Sequence, residues 1–88
     1  MKEVVKVRIS GIAFALDRDG YDVVRAYLDK LEEGYAKNPD GREIIADIEA
    51  RIAELILDKQ GTERVVGVEL AEEVVSRLGF PDEIDAPE

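Results

Sequence analysis

Residues 4–17 read VVKVRISGIAFALD, and their alternation sets this chain apart from an all-helical one. Val5, Val7 and Ile9 fall on one face, with Lys6, Arg8 and Ser10 on the other. After Ser10-Gly11, the residues Ile12, Phe14 and Leu16 alternate in the same way. A two-residue turn at Ser10-Gly11 pairs Ile9 with Ile12, Val7 with Phe14 and Val5 with Leu16. All six then point to one side, because side chains along a strand repeat every second residue. The expected unit is a β-hairpin whose apolar face needs a cover.

The cover is read from the remainder of the chain. Asp17-Arg18-Asp19-Gly20 breaks the strand pattern, with Asp19 as the expected N-cap and Asp22 three residues on. Helix one is expected from about Gly20 to Ala36. Its stripe is Val24, Leu28, Leu31 and Tyr35, with Tyr21 and Tyr27 at the edges. Gly34 inside it points either to a frayed last turn or to a close helix approach. Asn38-Pro39-Asp40-Gly41 is a turn short enough to make helices one and two an antiparallel pair. Asp40 with Glu43 has the form of a capping box, and Asn38 followed by Pro39 is an equal alternative start.

Helix two, from Asp40 to Lys59, carries Ile45, Ile48, Ile52 and Leu55 on one face, widened by Ile44 and Ile56, and Gly61 ends it. Residues Thr62 to Val68 form either a connector or a brief third strand. Helix three is expected from about Val68 to Leu78, burying Leu70, Val74 and Leu78 before Gly79 and Pro81 stop it. The predicted order is ββααα. This is an α+β domain over residues 1–80, with an acidic tail or linker over 81–88.

Composition narrows the chemistry. The 88 residues contain no cysteine and no histidine, which removes a disulfide framework, a thiol nucleophile, a histidine base and the usual zinc sites. The net charge of −9, with twelve basic residues scattered among twenty-one acidic ones, argues against nucleic acid. No apolar run approaches the roughly 18–20 residues that span a bilayer, and no signal-peptide core opens the chain. The glycines make no GxGxxG or Walker pattern. Calcium-loop spacing fails around Asp17, Asp19 and Gly20, where Ala15 and Ala26 occupy the first and twelfth positions. It fails again around Asn38, Asp40, Gly41 and Asp47, where Ala36 stands first and Pro39 interrupts the loop. No catalytic, cofactor-binding or metal-binding residues are expected.

Two sets of residues are candidates for a partner surface. Asp47, Arg51 and Glu54 are spaced i, i+4 and i+7 on helix two, an acid–base–acid ladder beside the apolar stripe, with Glu49 as a fourth polar group. The bland reading is a solvated ladder of ion pairs contributing about 0.3–0.5 kcal/mol each. A compromise between the two is a partly buried Arg51 clamped by Asp47 and Glu54. The second set is Val4, Val5, Lys6, Val7 and Arg8, the hairpin strand whose edge would otherwise carry unpaired main-chain groups. Edge-to-edge pairing of two hairpins would make a symmetric dimer. The alternative is a monomer whose edges are short and solvated or covered by Val65 to Val68.

The stretches VRISGIAFALD (Val7 to Asp17), YDVVRAYLDKLEEGYAKNPDGREIIADIEARIAEL (Tyr21 to Leu55) and ELAEEVVSRLGFPDE (Glu69 to Glu83) also carry a resemblance. Over nearly its whole length the chain resembles the cytosolic N-terminal domain of phage-shock-protein C-like (PspC-type) membrane proteins of Bacteroidetes. AYLD and EIIADIEARIAEL are the most specific matches. Such proteins are usually described as envelope-stress or stress-responsive regulators, and the family pattern offers no catalytic residues to carry over. Two departures stand out. Gly67 occupies the position where the family often has Thr, and the sequence ends at Glu88, where the family continues into membrane-spanning segments.

Together these readings imply a non-catalytic regulatory module that binds an unidentified protein partner. It is expected in the cytoplasm, or at the cytosolic face of an inner membrane through a following segment. The alternative is a free-standing acidic adaptor or homodimerisation domain without membrane attachment. A small acid–base enzyme is a third reading, and it would require a concave pocket holding a buried carboxylate.

Overall fold

The computed structural model describes residues 3–79. Two antiparallel strands, β1 (Val4–Ile9) and β2 (Ile12–Asp17), precede three helices, α1 (Arg18–Gly34), α2 (Gly41–Gln60) and α3 (Val68–Leu78). The ββααα order of an α+β domain is therefore the fold. The acidic tail expected over 81–88, and Pro81 with it, lie outside the described residues.

The hairpin register pairs Val5 with Leu16, Val7 with Phe14 and Ile9 with Ile12, as the alternation predicts. Ser10 (φ 54°) and Gly11 (φ 82°) both have positive φ, the mark of a type I′ turn, whose twist suits a two-residue hairpin. Ile9, Phe14 and Leu16 are buried, Val5, Val7 and Ile12 half-buried, and Val4, Lys6, Arg8 and Ala13 exposed on the opposite face.

The chain passes from β2 into α1 without a loop. Asp17, not Asp19, is the N-cap: its Oδ1 accepts the Gly20 N–H at 2.7 Å, satisfying one of the donors that open a helix. α1 ends at Gly34, with Tyr35 as its C-cap, two residues short of the expected Ala36. Gly34 is thus the helix's last residue. Tyr27, expected at the edge of the stripe, is buried beside Val24, Leu31 and Tyr35, while Leu28 is only half-buried.

Neither capping pattern anticipated for α2 forms a helix cap. Asp40 occupies the N-cap without a side-chain bond, and Asn38 Oδ1 instead accepts the Asp40 N–H at 2.8 Å, closing the turn. The buried face of α2 is Ile48, Ile52, Ala53 and Ile56, so Ile56 stands nearer its centre than Leu55. α3 buries Ala71 and Val74, with Leu70 and Leu78 half-buried rather than central.

The connector before α3 forms no third strand. It makes one parallel bridge, Val66 to Leu16, in which Val66 N–H donates to Ala15 C=O (2.8 Å) and Asp17 N–H donates to Val66 C=O (3.0 Å). Val66 itself is completely buried. This bridge sets Gly67 beside Gly20 at the start of α1, and at the far end the Tyr27 hydroxyl donates to Gly79 C=O at 2.6 Å. α1 and α3 therefore run side by side in the same direction, and they make the most extensive helix–helix contact.

Candidate protein-interaction site

The two edges of the hairpin are unlike. Arg18 N–H donates to Glu3 C=O at 3.0 Å, so Glu3 faces the partner strand. By the alternation of an antiparallel ladder, Val5, Val7 and Ile9 do likewise. The main-chain groups of Val4, Lys6 and Arg8 consequently point away from β2. On the other strand Ala15 C=O and Asp17 N–H point outward, and Val66 takes both. Among the described residues no strand lies beside β1 on its outer side. The bridge covers part of one edge and leaves the other without a strand neighbour.

The side chains flanking that open edge are chemically distinctive. Lys6 stands opposite Ala15 and Arg8 opposite Ala13 on the exposed face, and neither cation forms an ion pair with a described carboxylate. On the other face Val5 and Val7 are half-buried, leaving apolar surface along the same margin. Val4 is 48% exposed at the strand's start.

The second candidate set divides. Asp47 and Arg51 come together, with Arg51 Nε 3.4 Å from Asp47 Oδ2, and their side chains are 63% and 67% exposed for Arg51 and Asp47 respectively. Glu54 forms no ion pair with Arg51 among the described residues, so the anticipated clamp of a partly buried arginine does not form. Asp47 and Arg51 border an open groove of about 530 Å³ whose apolar lining includes Tyr27, Ile44, Ile48 and Leu78. Glu54 borders an adjoining groove with Arg77 and Leu55. Glu49 is half-buried and lines neither.

The carboxylates at the first groove, Glu43 and Asp47, are exposed. Burial perturbs the titration of Tyr27, which also lines this groove: desolvation raises its phenol above the ordinary 10.0, and neighbouring Tyr35 adds to the rise. Among the described residues no cluster of three acidic side chains is placed to hold a metal ion, and no helix is long and apolar enough to cross a membrane.

Of the alternatives for the hairpin edges, cover by Val65 to Val68 is realised on the β2 edge through Val66; that a single residue makes the bridge, and on which strand, leaves no periodic signal. Compared with protein-family models, curated proteins and solved structures, the chain matches none significantly.

Proposed function

We propose that this chain is a non-catalytic regulatory module that captures a protein partner. The resemblance to the cytosolic domain of phage-shock-protein C-like membrane proteins suggests that it does so in envelope-stress signalling. The interaction reading rests on the asymmetry of the hairpin: Val66 occupies groups on the β2 edge, and no described strand occupies the β1 edge. A row of outward N–H and C=O groups is a ready template for an added strand. The ladder on α2 is weaker support, because Asp47 and Arg51 largely neutralise each other in solvent.

A photo-reactive residue placed at Arg8, at Arg51 or at exposed Lys37 in the full chain, within the native host, tests this reading. Adducts are expected from the Arg8 site and not from Lys37, and a Lys6→Pro substitution should abolish them. Proline at position 6 removes an outward N–H while sparing the hydrogen bonds between β1 and β2. Equal adducts from all three sites, or none from Arg8, would reject the edge as a docking line. Reading the native gene beyond the Glu88 codon separates membrane-linked signalling from the free-standing adaptor. An in-frame apolar stretch of about 20 residues favours the former.

A further inference from the structure

We infer that the β1 edge accepts an extended acidic segment of a partner protein, with carboxylates at alternate positions and an apolar residue between them, in preference to a second copy of this chain. The inference rests on the edge reading above and assigns the chemistry of its partner.

Residues that pair across strands meet on the same face. A segment laid against β1 places every second side chain opposite Lys6 and Arg8, and the intervening side chain beside Val5 and Val7. Lys6 and Arg8 bring two positive charges with no carboxylate assigned to them in the described structure. Their neighbours across the hairpin, Ala15 and Ala13, are too short to compete. Half-buried Val5 and Val7 give the intervening apolar residue a surface to extend.

A second copy meets the opposite electrostatics. In a two-fold antiparallel pairing the outward residues of one β1 oppose those of the other. The register with greatest overlap sets Lys6 against Lys6, and a shift of two residues toward the turn sets Lys6 against Arg8. Like charges placed directly opposite destabilise a strand pair. The nearby acids do not reverse this preference. Glu3 lies 3.9 Å from Arg18, and Asp17 caps α1; both sit at the end of the hairpin remote from Arg8.

The test is a titration of a capped Glu-Val-Glu-Val-Glu peptide into the isotopically labelled 88-residue chain, followed through backbone amide shifts. A Lys-Val-Lys-Val-Lys peptide serves as control. The acidic peptide is expected to move the amides of Val4, Lys6 and Arg8 and to bind about tenfold or more tightly than the basic one. The double variant Lys6→Glu/Arg8→Glu, changed only at exposed positions, should reverse that order. Equal binding of both peptides at these amides would overturn the acidic partner class while leaving the edge as a docking line. Failure of both peptides to move them overturns the acidic class, and the Arg8 cross-link separately decides whether the edge docks anything. Movement of the same amides with protein concentration alone, without peptide, would identify the occupant as a second copy and overturn the inference.

Discussion

A Cβ built on Gly20 would stand 2.7 Å from the carbonyl oxygen of Val66, so the first turn of α1 and the connector before α3 touch backbone to backbone. That carbonyl also accepts the Asp17 N–H, and Gly20 N–H returns to the Asp17 side chain. The three residues form one joint, where hairpin, α1 and α3 meet. Gly20→Ala should destabilise the domain by about 1–3 kcal/mol, although alanine is ordinarily the better helix former. Thermal unfolding would register this as a fall of roughly 5 °C or more. A neutral or higher midpoint would mean that the Val66 segment yields without cost.

Val66 should respond in kind from the other side of the joint. It is wholly buried, whereas Val65 beside it is 45% exposed. Val66→Ala removes two buried carbon atoms and opens a cavity, for an expected loss of about 1.5–3 kcal/mol. Val65→Ala should cost less than about 0.5 kcal/mol. Chemical denaturation of the two variants distinguishes them, and equal losses would contradict the inward setting of Val66.

The hairpin was legible because its two signals agree: period-two alternation and a Ser-Gly turn fix the same register. The helix faces were legible only to within a residue or so. Counting at 3.6 residues per turn cannot say whether Leu55 or Ile56 faces the sheet, since both border the same stripe on α2. Asp17 was misread for a different reason. It ends a strand and caps a helix at once, so the expected break moved two residues on to Asp19, whose neighbour Gly20 has the look of a turn residue. In fact that glycine makes room for Val66. Open and covered edges were both foreseeable, but which edge Val66 takes was not, because that depends on how a distant segment lies alongside the hairpin.

Tyr27 ties α1 to the end of α3 through its hydrogen bond to Gly79 C=O. Tyr27→Phe should cost about 1 kcal/mol, the ordinary net worth of such a bond. The same residue gives the wild type an alkaline weakness. Its phenol titrates above 10.0 when folded and near that value when unfolded. The folded state therefore binds the proton more tightly, and the stabilisation is complete below about pH 10. It drains away as the pH rises through the folded value. Denaturation midpoints taken from pH 8 to 11 should fall more steeply for the wild type than for Tyr27→Phe, and parallel curves would place the alkaline loss elsewhere.

Arg51→Glu exchanges an attraction at i, i+4 for a repulsion against Asp47. Both groups are mostly in solvent, so the change should stay below about 1 kcal/mol. Circular dichroism should report an unaltered fold. Collapse of the domain would mean that Arg51 supports the structure in a way its exposure conceals. If the fold persists and partner capture weakens, the α2 face shares in recognition with the β1 edge.

Gly67 offers the last test, at the N-cap of α3. Its backbone (φ −90°, ψ 175°) is already extended, as an N-cap requires, but it has no side chain to accept a hydrogen bond. A Cβ there would make only an ordinary contact, 3.6 Å from Asp17 Oδ2. Threonine would add an acceptor for the first turn of α3. It would also restrict the unfolded chain. Gly67→Thr should therefore stabilise by about 0.5–1 kcal/mol and raise the thermal midpoint by a few degrees. Gly67→Ala separates the two causes, since it restricts the chain without supplying an oxygen. If alanine gains as much as threonine, the missing cap contributes nothing and chain entropy accounts for the whole effect.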